Sequence, residues 1–229
     1  MATDNQRENV WWTEPNGAYV KQINIAPFFA DVDMKNSRLQ EMAGMEQALY
    51  SHVPYPAEYV PDELRWVQRT VTDKDRDLPD AFQGYAGSPV ISEALRDVLA
   101  GFELGTSQFF ECPLYDVKSM DKAGRHEVDR SKKDPRRWFL FHVPETKDVL
   151  LPGHSKGLLE SSSRPGFYFP HGDKNPVIAL NQELSLSGPP IWRDPHLVDV
   201  FFFNDAVKRA IEAKSLRTPS FRFKPCLLV

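Results

Sequence analysis

The chain has 229 residues, of which 41% are hydrophobic and 26% charged, as in an ordinary globular protein. Its 28 basic against 32 acidic residues give a net charge of −4, which argues against nucleic acid or an anionic membrane as partner, because both require clustered positive charge. Two cysteines, Cys112 and Cys226, are too few for a disulfide-dense scaffold or a four-cysteine zinc site. The start lacks the pattern of a signal peptide and no segment approaches the ~20 apolar residues that span a bilayer, so a cytoplasmic protein with reduced thiols is expected.

Residues 1–83 are expected to form a helical and loop segment packed on the rest of the chain. Ala18–Ile25 is predicted to be an early strand. Ser37–Tyr50 is predicted to be a helix, because its first residue and the glutamine three positions later form a capping box. Three prolines predict a loop over 52–61. The last of them suits the first turn of a second helix, Asp62–Val71, whose acidic start complements the helix dipole.

Residues 84–229 carry stronger signals and are expected to form an α+β core with mixed-sheet strands and a few short helices, in one compact unit overall. Ser92 and Asn204 each precede an acidic residue and an apolar pattern with helical spacing, which predicts two capped helices, the second over Asp205–Ala213. The charged excursion at 116–137 is expected to be a solvated loop. Apolar and aromatic runs predict strands at Phe109–Phe110, Trp138–Val143, Val149–Leu151, Val177–Leu180, Leu197–Phe203 and 220–225.

The two helix regions are related by a shift of 112 residues. Each copy reads as an apolar strand, a polar cap, a short helix, a turn and an aromatic strand. Residue pairs aligned by the shift include Leu95 with Val207, Leu99 with Ile211, and Phe109 with Phe221. The echo predicts two similar strand-helix-strand units packed side by side. Coincidence between two ordinary units is the alternative, since two copies are too few for a solenoid.

The string Gly153–Gly157 fits G-x-S-x-G, which in hydrolases lifts a serine hydroxyl above a strand-to-helix turn. Asp173 and His196 follow Ser155 in the chain order of a hydrolase triad. The context is unfavourable, because a proline precedes the string, Pro165 interrupts the next segment, and no glycine-rich oxyanion loop lies upstream. A polar turn is the favoured interpretation, and a serine hydrolase using Ser155 stays as the alternative.

The six histidines form no metal-ligand pattern. His171 and His196 each lie two residues from an aspartate, but zinc requires three or four convergent ligands, and neither H-E-x-x-H nor paired cysteines occur. His142 lies in an apolar predicted strand and is expected to be a buried core residue. No Walker-type loop or G-x-G-x-x-G is present, so neither a metal nor another cofactor is expected.

Two charged groups are candidates for partner binding. A basic group lies between Arg130 and Arg137, but acidic neighbours favour a solvated surface there. The acidic turn at 73–80 is more attractive, because an acidic loop can enter the basic cleft of a nuclease and accelerate association. The predicted partner-binding residues are Asp73, Asp75, Asp77 and Asp80.

Two stretches resemble a known family in the order and texture of their residues. They are GSPVISEALRDVLAGFELGTSQFFECPLY and IALNQELSLSGPPIWRDPHLVDVFFFNDAVKRAIEAKSLRTPSFRFKP. They are similar to the upstream and C-terminal parts of immunity-protein family eleven, formerly a domain of unknown function, and WRDPHLVDVFFFNDAVKRAIEA is the most specific part. The likeness covers 84–225, whereas 1–80 is unmatched or only loosely matched. The stretches at 52–61 and 116–137 depart from the family pattern.

The resemblance implies a bacterial immunity protein that neutralises a cognate toxin effector by stoichiometric occlusion. It implies no catalytic site, and it transfers no functional residue position by position. A toxin protein as partner and no enzymatic turnover are therefore expected. Besides the serine hydrolase, a non-catalytic adaptor with some other partner is a further alternative.

Overall fold

The structure, a computed structural model, describes residues 9–13, 24–28, 60–67, 78–82, 88–120, 126–170, 175–197, 199–218 and 221–229. Their strands are β1 (Val10–Thr13), β2 (Asn24–Phe28), β3 (Glu63–Val67), β4 (Ala81–Phe82), β5 (Val90–Ser92), β6 (Gln108–Glu111), β7 (Leu114–Met120), β8 (His126–Lys133), β9 (Trp138–His142), β10 (Leu158–Glu160), β11 (Tyr168–Pro170), β12 (Ala179–Leu180), β13 (Ile191–Trp192), β14 (Phe201–Asn204), β15 (Lys224–Pro225) and β16 (Leu227–Leu228). Their helices are α1 (Glu93–Leu99), α2 (Gln182–Leu186) and α3 (Asp205–Ala213), and a 3₁₀ turn spans Pro152–His154. Several sheets with a few short helices confirm the predicted α+β class.

Two four-stranded sheets share one arrangement. The strand order is β4-β5-β9-β6 in the first sheet and β13-β14-β1-β15 in the second, and all neighbours are antiparallel. A third sheet has the order β2-β3-β7-β8, in which β3 and β7 are parallel. Strands β12 and β16 form a further parallel pair. The fold therefore contains mixed sheets, as predicted.

The first and second sheets carry the two units that the 112-residue echo predicts. Strand β5 ends at Ser92 and leads into α1, and β14 ends at Asn204 and leads into α3. Each cap side chain accepts a hydrogen bond from the backbone N–H three residues later, at 3.3 Å in the first unit and 2.9 Å in the second. The pairing also repeats, because Ile91 faces Ala81 and Phe203 faces Ile191. The two stretches therefore fold as equivalent units through strands β5 and β14 and the helices that follow them.

The shift is not kept in the last strand. Glu111 of β6 faces Phe139, whereas Pro225 of β15 faces Trp11, so the shift has grown by two residues there. Phe221, which was predicted to match Phe109 of β6, precedes β15.

The third strand of each sheet comes from a different part of the chain. Strand β9 places Phe139 beside β5, whereas the early strand β1 places Trp11 beside β14. A cation from the neighbouring helix lies over each ring. The Arg96 Cζ is 4.7 Å from the Phe139 centroid, and the Lys208 Nζ is 4.2 Å from a Trp11 ring centroid. Since Arg96 and Lys208 are also 112 positions apart, the equivalence extends to long-range contacts.

The two units share one hydrophobic core. Helix α1 contributes Leu95 and Leu99, and α3 contributes Val207 and Ile211, all buried. The aromatic residues around them come from both sheets and the C-terminal segment and include Phe139, Phe141, Phe201, Phe203 and Phe221. One set of apolar side chains therefore stabilises both helices and joins the two sheets.

The predicted helix over Asp62–Val71 is wrong. Its described part is the strand β3, which lies between β2 and β7 in the third sheet. Leu64 is fully buried, while Glu63 and Arg65 lie on the opposite face and form a 2.9 Å ion pair. This alternation is what a strand requires. Pairing with two neighbouring strands overrides the helix-start signal, which is a weak local preference.

The N-terminal segment is built into the sheets rather than laid on them. Its described residues form strands β1 to β4, which pair with strands from the rest of the chain as well as with each other. The predicted helix Ser37–Tyr50 and most of the predicted strand Ala18–Ile25 lie outside the described residues. Among the described residues, no helix precedes position 84.

The charged excursion at 116–137 is largely a β-hairpin, so the expectation of a loop is wrong there. Strands β7 and β8 pair antiparallel, with register irregularities near Asp116 and between Val117 and Ser119. Few residues in either strand have high β-propensity, which is why the sequence pattern did not reveal them.

Other predicted strands are shorter than expected, since β14 begins only at Phe201, β12 covers only Ala179–Leu180, and Phe221 precedes β15. The predicted strand Val149–Leu151 is wrong, because that segment contributes only an isolated bridge between Leu150 and Leu180.

Leu99→Ala and Ile211→Ala should each lower the free energy of unfolding by ~2–5 kcal/mol, because each removes a buried aliphatic side chain from the shared core. Urea denaturation of each variant measures the loss. Leu184→Ala, which truncates a half-exposed leucine of α2, is the matched control and should change stability by only about 0.5 kcal/mol. A core variant that behaves like this control contradicts the shared core.

Candidate functional site

Ser155 lies in a turn whose backbone it holds together. The turn follows the 3₁₀ segment Pro152–His154. The Ser155 Oγ donates a hydrogen bond to the Leu151 carbonyl at 2.9 Å and accepts one from the Ala179 N–H at 2.9 Å. A hydroxyl has one proton, and here that proton is directed to a backbone oxygen. A serine nucleophile needs a base to receive it, so this geometry favours the structural interpretation of Ser155.

His196 is engaged elsewhere. Its Nδ1 lies 3.0 Å from the Gly166 carbonyl oxygen, and its Nε2 lies 3.6 Å from the Asp148 carboxylate. Asp173, the third member of the predicted triad, lies outside the described residues. Among the residues that the structure describes, no hydrogen bond joins His196 to Ser155. Ser155 and His196 therefore occur in the chain order of a triad but do not have the geometry of one.

Ser155→Ala should lower the free energy of unfolding by about 1–2 kcal/mol, because it removes the hydrogen bond to the Leu151 carbonyl and the one from the Ala179 N–H. Ser162→Ala, at an exposed serine in the following segment, should leave stability nearly unchanged. Urea denaturation compares the two. A fluorophosphonate probe that labels the wild type but not Ser155→Ala would contradict the structural role and support the hydrolase.

The first residues of the stretch WRDPHLVDVFFFNDAVKRAIEA make contacts that hold the fold together. Trp192 stacks on Phe202 with ring centroids 5.7 Å apart. The backbone of Arg193 bonds to the Glu145 carbonyl and the Lys147 N–H. Asp194 is buried and accepts hydrogen bonds from the backbone at Val149, Leu150 and His196, at 2.8–2.9 Å. Burial raises the pKa of this carboxyl, while the backbone donors oppose that change.

The remaining metal and thiol candidates are also scaffold groups. His142 is fully buried in β9, as predicted. Both cysteines are free thiols. Burial raises the pKa of Cys112 to about 12 and also raises the pKa of Cys226, which makes both poor nucleophiles. Within the described ranges, no three His, Cys, Asp or Glu residues are grouped closely enough to hold a metal ion.

Lys147 has a perturbed pKa, and no sequence pattern identified it as a candidate. Its Nζ lies 3.6 Å from a Trp192 ring centroid and donates to the Ser185 carbonyl at 3.1 Å. Burial lowers the pKa of the ammonium from the usual 10.5 to about 8, against the opposing influence of Glu145. The carbonyl belongs to the last turn of α2, where a cation is favoured by the helix dipole. Its contacts join α2 to β13.

Since the folded state lowers the pKa of Lys147, the unfolded chain binds more protons between about pH 8 and pH 10.5. The stability of the wild type relative to Lys147→Met should therefore rise with pH across this window. Urea denaturation of both proteins at a series of pH values measures the difference. Lys156→Met, at an exposed lysine, is the control. A stability difference that does not change with pH contradicts the depressed pKa.

Asp80, the described member of the predicted acidic site, connects the two units. Its carboxylate accepts hydrogen bonds from the Ser92 hydroxyl at 2.7 Å and from the Arg217 N–H at 2.8 Å. Its backbone N–H donates to the Arg217 carbonyl, and its carbonyl accepts from the Ser92 N–H. It thus ties the helix cap of the first unit to the turn after α3. Asp73, Asp75 and Asp77 lie outside the described residues.

Asp80→Ala should lower the free energy of unfolding by about 1–3 kcal/mol, because it leaves the Ser92 and Arg217 donors without their carboxylate partner. Glu103→Ala removes the same charge from an exposed position and should have little effect. Chemical denaturation distinguishes the two. Equal stability of both variants would show that Asp80 is available to a partner rather than committed to the fold.

The basic group at 130–137 is ordered by acidic partners. Arg130 binds Glu63, and Lys132 binds Asp129. Arg136 contacts Asp134, which is buried, and Arg137 bridges Glu93 and Glu111. The ion pair with Arg137 lowers the pKa of Glu111. Asp129 and Asp134 are neighbours of these cations in the sequence, whereas Glu63, Glu93 and Glu111 are brought to them only by the fold.

A scan against protein-family models and a search of curated proteins each found no match for this chain. The helices in the described part of the chain are too short and too polar to cross a membrane.

Proposed function

We propose that this protein is a non-catalytic immunity protein that binds a cognate bacterial toxin effector and blocks it by stoichiometric occlusion. The observation that carries the proposal is the equivalence of the two family-like stretches. Both fold into the same strand-helix arrangement, with matching caps at Ser92 and Asn204. The two stretches that resemble the immunity family thus coincide with the two similar units of the fold.

The use of polar side chains supports an inhibitor over an enzyme. Among the described residues, Ser155, Asp80 and Asp194 are candidates for catalysis or direct recognition, and each is committed to backbone hydrogen bonds. Such groups fix the positions of turns and strand ends. A preorganised surface of this kind suits tight binding, because little conformational entropy is lost on association. Specificity then falls to exposed segments outside the scaffold.

The test is co-expression with the toxin encoded beside this gene. The wild type should restore growth, co-purify with the toxin, and inhibit its activity completely at a molar ratio of one to one. Ser155→Ala should protect equally once expression is matched. Inhibition that is complete far below equimolar amounts would indicate enzymatic inactivation of the toxin and would contradict the proposal.

The alternatives give different results in the same experiment. A serine hydrolase should lose its effect in Ser155→Ala while the fold is retained. An adaptor with another partner should neither protect against the toxin nor co-purify with it. Absence of protection by soluble, folded wild-type protein would overturn the immunity proposal.

A further inference from the structure

Resting on the proposed function, we propose that exposed cations of β8 and of the turn before β9 dock an acidic surface of the toxin. This group, called the basic ridge, consists of Arg130, Lys132, Lys133 and Arg136. Because neighbouring strand residues point to opposite faces, Lys132 and Lys133 lie on either side of β8. The predicted acidic turn at 73–80 loses part of its basis as the docking element, because Asp80 is committed to holding the two units together.

Two cations of the basic ridge, Arg130 and Arg136, face outward over buried acids. The side chain of Arg130 is 62% exposed, whereas its partner Glu63 is 5% exposed. The side chain of Arg136 is 39% exposed, whereas its partner Asp134 is 3% exposed. Each ion pair therefore presents its positive member to solvent. Although the pairs are neutral in sum, the surface that a partner meets is positive.

Aromatic rings and a backbone carbonyl hold the arginines in place. The Arg130 Cζ lies 5.1 Å from the Tyr115 ring centroid, and the Arg136 Cζ lies 4.6 Å from a Trp138 ring centroid. Arg136 Nη1 also donates to the Leu78 carbonyl at 3.0 Å. A guanidinium has five N–H donors. Arginines fixed in this way lose little side-chain entropy when a carboxylate binds.

The charge of the ridge contrasts with that of the whole chain. Residues 126–137 contain five Lys or Arg against three Asp or Glu, a balance of +2, in a chain whose net charge is −4. Acids from other elements, namely Glu63, Glu93 and Glu111, offset part of this charge. The exposed cations still orient an approaching acidic surface toward themselves. The charge of the basic ridge would therefore orient the toxin during association as well as strengthen its binding.

Acidic residues at both ends favour a protein surface over a nucleic acid. Glu127 is exposed near the start of β8, and the exposed pair Glu93 and Glu111 binds Arg137 at the other end. From Arg130 to Arg136 the chain can span at most roughly 20 Å, at about 3.3 Å per residue. A phosphate backbone carries charge continuously and would meet the flanking carboxylates. An acidic patch of limited size on a protein would contact the cations without meeting the flanking carboxylates.

The experiment compares two double variants that remove the same charge. Lys132→Ser/Lys133→Ser removes two exposed cations of the ridge while leaving Arg130 and Arg136 over their buried acids. Lys156→Ser/Lys214→Ser removes two exposed cations elsewhere. Circular dichroism and urea denaturation establish that both are folded.

With the toxin that co-purifies with the wild type, the ridge variant should associate about three- to tenfold more slowly than the control variant at low salt. The two rates should converge at about 1 M NaCl, where the Debye length is about 3 Å. Equal association rates at low salt would overturn the proposal while leaving the immunity function intact. Failure of the wild type to protect against a toxin or to co-purify with one would instead reject the immunity function.

Labelled poly-L-glutamate and a short DNA duplex test the chemistry of the ridge without the toxin. Poly-L-glutamate should bind the control variant more tightly than the ridge variant. No difference between the variants would overturn the proposal. Tighter binding of the duplex than of poly-L-glutamate, lost in the ridge variant, would also overturn it and would identify the ridge as a nucleic-acid contact.

Discussion

The fold depends on one shared core that two short helices must enter together. Helix α1 has seven residues and α3 has nine, and helices of this length are marginal in water unless an apolar face is buried. Leu95 and Leu99 from one helix meet the same cluster as Val207 and Ile211 from the other. Because both sheets depend on this cluster, they are expected to fold together.

Polar contacts complete this coupling by tying each unit's turn to a distant segment. Asp80, before β4, holds the backbone of Arg217 after α3. Glu145, after β9, accepts from the N–H and hydroxyl of Thr106 in the turn after α1. Gly105 adopts a φ of +65°, and a Cβ there would collide with the Glu145 side chain. The turn thus requires glycine both for its conformation and for the approach of the carboxylate.

Local signals predicted the elements whose causes are local. The caps at Ser92 and Asn204, the apolar faces of α1 and α3 and the buried strand at Trp138 were correct, because capping and periodicity are read from neighbouring residues. The helix predicted over Asp62–Val71 failed because strands β2 and β7 decide that segment. Ser155 and Asp80 were identifiable as polar residues in turns, but their partners at Ala179 and Arg217 lie 24 and 137 positions away. Their roles were therefore not predictable from sequence spacing.

A duplicated scaffold poses a problem for specific recognition, because two equivalent units tend to present two equivalent surfaces. The strand registers show that the two units differ in the residues that precede their corresponding strands. Phe139 in β9 corresponds to Trp11 in β1, so Arg137 corresponds to Asn9, and the charge that precedes one strand is missing before the other. The β7–β8 hairpin adds its cations beside the first unit, supported by Glu63 from the third sheet. The same charges discourage unwanted pairing along β8, since lysine and arginine are common protections of exposed strands. The cations that we propose for recognition can therefore also limit aggregation, while the repeated core stabilises the fold.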